Sequence, residues 1–124
     1  MTRYDLNLGF VGLGALGLPM AINLQRAGLR LRLHTRSRKA ETHPDLEGAA
    51  RCASPAEAAK GVDVLLVCVS DDAAVEAVLF GAGGASGGLR PGSVVLDCST
   101  ISPAQAIHCA ERLSHQGVAY LDAP

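Results

Sequence analysis

Gly12-Leu13-Gly14-Ala15-Leu16-Gly17 follows the apolar run Leu8-Gly9-Phe10-Val11 and leads into Leu18-Pro19-Met20-Ala21-Ile22-Asn23-Leu24. Glycine-rich hexapeptides arise often by chance, so a G-x-G-x-x-G spacing gains meaning only from its flanks, here a strand-like run before and a helix-like stretch after. In that setting the first glycine permits a tight turn, the second lets backbone approach a diphosphate, and the third lets helix and strand pack closely. Free N–H groups and the positive end of the helix dipole then hold the diphosphate. Gly12, Leu13, Gly14, Ala15, Leu16 and Gly17 are therefore candidate dinucleotide-binding residues. Their helix is expected to carry Leu16, Met20, Leu24 and Ala27 on its apolar side and to close at Gly28, with Pro19 in the first turn, where a missing N–H costs little.

A dinucleotide site places the group that reads the adenosine ribose about 20 residues further on, and an acid there binds the 2′-hydroxyl of NAD. This chain has His34-Thr35-Arg36-Ser37-Arg38-Lys39 in that place and no carboxylate before Glu41. Two hydroxyls around a guanidinium, with two more cations behind, suit a 2′-phosphate, because charge-assisted hydrogen bonds contribute about 1.5–3 kcal/mol each. Thr35, Arg36 and Ser37 are candidates for that contact, and NADP(H) is expected over NAD(H). The competing reading is an exposed basic turn that leads into the next helix.

The elements that must carry these residues follow from apolar periodicity. Short runs rich in Val and Leu recur at Leu8–Val11, Leu29–Leu33, Val64–Val69, Val94–Leu96 and Val118–Leu121, with helix-like stretches between them. Alternating strands and helices over one chain predict a single-domain α/β fold, doubly wound around a mainly parallel sheet. The uninterrupted run Val64-Leu65-Leu66-Val67-Cys68-Val69 reads as a central strand covered on both faces, whereas Leu29-Arg30-Leu31-Arg32-Leu33 alternates. Ser54-Pro55-Ala56-Glu57 and Ser102-Pro103-Ala104-Gln105 each read as a capping Ser followed by Pro at the first helical position. In the last helix Ala106, Ile107, Ala110 and Leu113 make the apolar stripe, leaving His108, Arg112 and His115 on a solvated face. The segment 81–88, with its repeated glycines and no Gly-Lys-Ser/Thr after it, reads as a flexible connection and not as a P-loop.

Composition narrows the function. The 124 residues fit one domain of ordinary size, and 11 basic residues against 12 acidic ones supply no broad field for nucleic acid or an anionic membrane surface. No apolar run reaches the length of a bilayer span, and Met1 to Asn7 lacks the apolar core of a leader, so a cytoplasmic protein is expected. Cys52, Cys68, Cys98 and Cys109 form no Cys-x-x-Cys pair and are expected as buried free thiols. His108 and Cys109 are adjacent, not at ligand spacing, so no metal site is expected. His34, His43, His108 and His115 read as surface or loop residues.

Gly9 to Leu24, Thr35-Arg36-Ser37, Asp97-Cys98-Ser99-Thr100-Ile101-Ser102-Pro103 and Asp122-Ala123-Pro124, in that order and spacing, resemble the β-hydroxyacid dehydrogenases. That family includes 3-hydroxyisobutyrate dehydrogenase, tartronate semialdehyde and glyoxylate reductases and 6-phosphogluconate dehydrogenase. The resemblance implies a Rossmann-like NAD(P)-binding domain over 1–124, followed by a helical domain that completes the active site and makes a homo-oligomer. It implies that Val69 and Ser70 lie along the cofactor, that Thr100 lies near the nicotinamide, and that Ser99 lies toward a small hydroxy acid or semialdehyde substrate. Asp97 ends its strand beside the site and reads as a cap for the following turn at least as readily as a direct participant, and Asp71 and Asp72 read as first-turn acids on a helix dipole. Leu16 stands where many members have Met. The family's general acid-base lysine lies on a helix beyond the segment Asp122-Ala123-Pro124; Lys39 and Lys60 do not match it, so no catalytic residue is assigned within this chain. A stand-alone NADP(H)-sensing module and a relative of imine reductases are the alternatives.

Overall fold

The computed structural model describes residues 5–124; the first part of the segment read for a leader lies outside them. The strands are β1 (Asn7–Val11), β2 (Arg30–His34), β3 (Ala50–Arg51), β4 (Val64–Val67), β5 (Val94–Asp97) and β6 (Ala119–Asp122). They form one sheet in the order β3-β2-β1-β4-β5-β6, and every pairing is parallel. This is the Rossmann strand order. Successive crossovers run outward from β1 to one edge, return, and run outward from β4 to the other, which leaves a crevice above the carboxyl ends of β1 and β4.

Helices α1 (Gly17–Arg26), α2 (Pro55–Ala59), α3 (Asp72–Phe80) and α4 (Pro103–Ser114) cover the sheet. Strand side chains alternate between faces. Leu8, Phe10, Leu31, Leu33 and Leu66 pack with Ala21 of α1 and with Leu46, which a short 3-10 turn at Pro44–Leu46 supplies. Val11, Leu65, Val67 and Val95 meet Ala58 and Ala59 of α2, Val75 and Leu79 of α3, and Cys109 and Leu113 of α4. Full burial of a side chain such as Phe10 or Leu79 contributes about 1.5–3 kcal/mol.

The helix starts follow their caps. Ser54 Oγ accepts the Glu57 N–H at 3.1 Å, Ser102 Oγ accepts that of Gln105 at 3.1 Å, and Asp71 Oδ1 accepts that of Ala74 at 2.8 Å. Asp72, in the first turn of α3, instead accepts the Ser102 N–H at 2.8 Å and O–H at 2.6 Å, tying α3 to α4. Helix α1 has no side-chain cap and no acid in its first turn.

Several expectations need correction. The central strand stops at Val67, because Cys68 and Val69 already turn over the sheet's end. On α1, Leu16 and Ala27 are exposed, and Gly17 and Ala21 form the buried contact. On α4, Ile107 is 60% exposed while Cys109 is fully buried, so the stripe is rotated by about one residue from the expected one. His108 and Arg112 are not simply solvated: both pair with Glu76 of α3, and Arg112 lies 4.1 Å over the Phe80 ring. The glycine-rich segment is packed, not loose. It forms a 3-10 turn at Ala85–Gly87 with Ala85 buried, and a Cβ at Gly88 would collide with the Ala56 carbonyl oxygen. Strand β3, two residues long, has no sequence signal. All four cysteines are free, as expected, but Cys52 and Cys109 alone are buried; Cys68 and Cys98, just past the ends of β4 and β5, are half-buried. No helix among the described residues is long and apolar enough to cross a membrane.

The rotated stripe has a measurable consequence. Leu113→Ala is expected to cost about 2–5 kcal/mol in urea unfolding, whereas Ile107→Ala stays within about 0.5 kcal/mol.

Candidate functional site

A cleft of about 670 Å³ opens above the carboxyl ends of β1, β2, β4 and β5. Its floor is the turn that joins β1 to α1. Gly12 has φ +99°, and a Cβ there would collide with the carbonyl oxygen of Cys68; a Cβ on Gly17 would collide with that of Gly12. A side chain at Gly12 would push the turn off the end of β4, and one at Gly17 would push α1 off the turn. Gly14, by contrast, has nothing within 4 Å of the Cβ position. The turn is held by Gly12 N–H on the His34 carbonyl at 3.0 Å, and Cys68 N–H on the Val11 carbonyl at 2.9 Å carries the β1–β4 ladder past the strand ends. The uncapped first turn of α1 therefore presents N–H groups and a positive dipole end to the cleft.

One shoulder is the turn after β2. Thr35 is 9% exposed, and its Oγ1 accepts the Leu13 N–H at 3.3 Å, which binds this turn to the glycine-rich one. Arg36 and Ser37 stand exposed on the cleft wall. Behind them Glu41, 3% exposed, accepts the Thr35 N–H at 2.7 Å, Arg38 Nε at 3.0 Å and Arg51 Nε at 3.3 Å. Burial opposes ionisation of Glu41, but the hydrogen bonds from Arg38, Thr35 and Arg51 outweigh it and hold its carboxyl below the ordinary range. Arg38 is thus turned away from the cleft and Lys39 does not line it, so the expected pair of supporting cations does not stand behind Arg36 as free charges. No Asp or Glu among the described residues lines the cleft.

The other shoulder is made by the loops after β4 and β5. Ser99 is 2% exposed; its hydroxyl accepts the Val69 N–H at 2.9 Å, and its own N–H donates to Asp97 Oδ1 at 2.9 Å. Val69, Ser70 and Thr100 complete this wall. Asp97 caps its turn as expected, and it also receives the Tyr120 hydroxyl at 2.7 Å. Cys68 and Cys98 line the cleft as well, and burial pushes both thiols up, so they stay protonated at neutral pH.

The structure thus brings every candidate residue into one cleft: the glycine-rich turn, Thr35, Arg36 and Ser37, and Val69, Ser70, Ser99 and Thr100. Sequence reasoning missed the apolar wall formed by Pro55 with Ala74, Ala77 and Val78 of α3. Helical spacing of three and four along α3 was the available signal. It also missed Glu41, and His34, which reaches the Cys52 carbonyl at 3.1 Å and is half-buried.

A Rossmann sheet with this glycine turn at its switch point defines a dinucleotide-binding domain. The family model for the NAD binding domain of 6-phosphogluconate dehydrogenase matches residues 7–124, and the chain belongs to that family. It is 41% identical to an L-threonate dehydrogenase of Cupriavidus necator over 95% of its own length and 40% of the relative's. It is 38% identical to a 2-hydroxy-3-oxopropionate reductase of Escherichia coli, covering 96% of this chain and 40% of that enzyme. A 3-hydroxyisobutyrate dehydrogenase of Mycobacterium tuberculosis, solved with L-serine, superposes with a TM-score of 0.88 at 28% identity, over 98% of this chain and 40% of that one. The chain spans about 40% of the length of the relatives it matches.

Two outcomes follow from this geometry. Gly12→Ala and Gly17→Ala are expected to lose more than about 2 kcal/mol of stability, while Gly14→Ala stays within about 0.5 kcal/mol, read by urea unfolding. Because the Glu41 carboxyl is depressed from its ordinary 4.5, its contribution is complete above that pH and is lost as pH falls through the lower folded value. Glu41→Gln should therefore lower stability at neutral pH and flatten its loss toward acid, checked by urea unfolding across that range.

Proposed function

We propose that the cleft takes NADP(H) in preference to NAD(H), within an oxidoreductase acting on a small 3-hydroxy acid or its aldehyde or keto partner. The observation that carries the preference is the turn after β2: Arg36, flanked by Thr35 and Ser37, faces a cleft lined by no carboxylate among the described residues, and the next acid along the chain, Glu41, is buried and paired. An acid that reads a free 2′-hydroxyl has no counterpart here.

In this reading Gly12 and Leu13, whose own N–H groups are taken by the His34 carbonyl and Thr35 Oγ1, shape the turn that cradles the diphosphate, Gly14, Ala15, Leu16 and Gly17 offer it backbone N–H groups, and Thr35, Arg36 and Ser37 hold the 2′-phosphate. Pro55, Ala74, Ala77 and Val78 offer an apolar wall to the adenine. Val69, Ser70 and Thr100 line the path to the nicotinamide end, and Ser99 borders the substrate. When bound, the nicotinamide supplies or accepts the hydride. A proton donor is also required. Neither Lys39 nor Lys60 lines the cleft, so we assign the donor to a helical domain of the whole enzyme, which also carries the homo-oligomer contact.

Calorimetric titration of the 124-residue chain tests the preference. NADPH is expected to bind more tightly than NADH, and Arg36→Ala to weaken NADPH by about tenfold to a hundredfold while NADH changes little. Equal wild-type affinities overturn it. With glyoxylate or tartronate semialdehyde the same chain is expected to show no turnover; measurable turnover overturns the assignment of the proton donor to another domain.

A further inference from the structure

Tyr120 lies on the edge strand β6, outside the cleft, in register with Val95 of β5. Its side chain is half-buried on the face that α4 covers, and its hydroxyl donates to Asp97 Oδ2 at 2.7 Å. Asp97 is fully buried. Its second oxygen accepts the Ser99 N–H at 2.9 Å, and Ser99 Oγ accepts the Val69 N–H at 2.9 Å. The backbone adds a further tie, Ala123 N–H to the Asp97 carbonyl at 2.8 Å. One line of short hydrogen bonds therefore runs from the rim of the sheet, through a buried carboxylate, to both loops that wall one end of the cleft.

Each link has a single role. A carboxylate accepts only, so Asp97 needs a donor at each oxygen, and in the dry interior an oxygen without one is expensive. A phenylalanine at 120 would fill the same space and leave Oδ2 with none. Burial, the hydrogen bond to Asp97 and the charge of Asp97 push the Tyr120 hydroxyl well above its ordinary value, so it is a donor at neutral pH. The apolar packing of β6 on α4 requires the ring and not the hydroxyl; the hydroxyl is accounted for by Asp97.

We propose that Tyr120 is a positioning residue for the nicotinamide end of the cleft: through Asp97 and Ser99 its hydroxyl fixes the Val69 and Thr100 loops against which that end of the cofactor rests. This rests on the cofactor reading above. It predicts a selective effect, because the turns after β1 and β2, which would hold the diphosphate and the 2′-phosphate, share no hydrogen bond with Tyr120, Asp97, Ser99 or Val69 among the described residues; Gly12 meets Val69 only through apolar packing.

The test compares two ligands on the full chain, NADPH and adenosine 2′,5′-bisphosphate, which has no nicotinamide end. Tyr120→Phe is expected to weaken NADPH by about threefold to tenfold and to leave the bisphosphate unchanged, since one hydrogen bond's net contribution is at stake. Ser99→Ala, at the far end of the relay, should give the same selective loss, and the double variant no more than the larger single loss. Should Tyr120→Phe not fold, Ser99→Ala carries the same comparison. Amide proton and nitrogen resonances of Ser99 and Val69 should shift in Tyr120→Phe without any ligand. Unmoved resonances, equal losses for both ligands, or additive losses in the double variant each overturn the inference while leaving the cofactor reading intact. A wild-type chain that binds neither ligand overturns the cofactor reading and this role together.

Discussion

Strand β1 and helix α1 meet where the backbone of Gly12 passes the carbonyl of Cys68 too closely for any side chain, and Gly17 in turn sits against the carbonyl of Gly12. That double contact fixes where α1 begins and how its first turn is aimed. It also brings the end of β4 beside the end of β1, so the crevice required by the crossover topology becomes one narrow floor. The same close approach lets Leu13 reach Thr35 and Cys68 reach Val11, so the loops above the sheet continue its ladder. A wider turn would leave the strands in place and the cleft without a floor.

Above that floor the two shoulders share one construction. Each is organised around a buried carboxylate, Glu41 on one side and Asp97 on the other. Glu41 gathers Thr35, Arg38 and Arg51; Asp97 gathers Ser99 and Tyr120. Removing one partner from a buried charge is costly, so both loops are held far more firmly than exposed turns usually are. The negative charges are spent inward. The cleft itself shows the Arg36 cation, the His34 ring, backbone donors, hydroxyls, two thiols and apolar carbons.

Much of this was legible in the sequence where one residue type has one physical use. Strand centres stood out because parallel strands buried on both faces are unbroken Val and Leu runs, and the Ser-Pro helix starts stood out because cap and first position each demand a particular residue. The glycine-rich hexapeptide with Thr35-Arg36-Ser37 gave the cleft's floor and one shoulder before any coordinates. What stayed hidden depends on partners distant in the chain. Neither Glu41 nor Tyr120 shows in its own neighbourhood that it will meet Arg51 or Asp97. Ile107 and Cys109 differ by too little in the pattern to say which faces the sheet, and that is settled by how α4 lies on β6 and α3. The glycines at 81–88 look flexible in sequence, yet their lack of side chains is what lets the segment lie against α2.

Among the described residues, α2, α3 and α4 complete their own first turn with Ser54, Asp71 and Ser102, but α1 does not. The one start left open is the one that forms the floor of the cleft. Its amide hydrogens are therefore shared between the fold and whatever anion arrives. The thermal midpoint of this chain then becomes a function of what is dissolved around it: a ligand at 100 times its dissociation constant adds about 2.7 kcal/mol. Phosphate or sulfate in a buffer, competing for the same amides, would make the protein look sturdier and the nucleotide look weaker than either is.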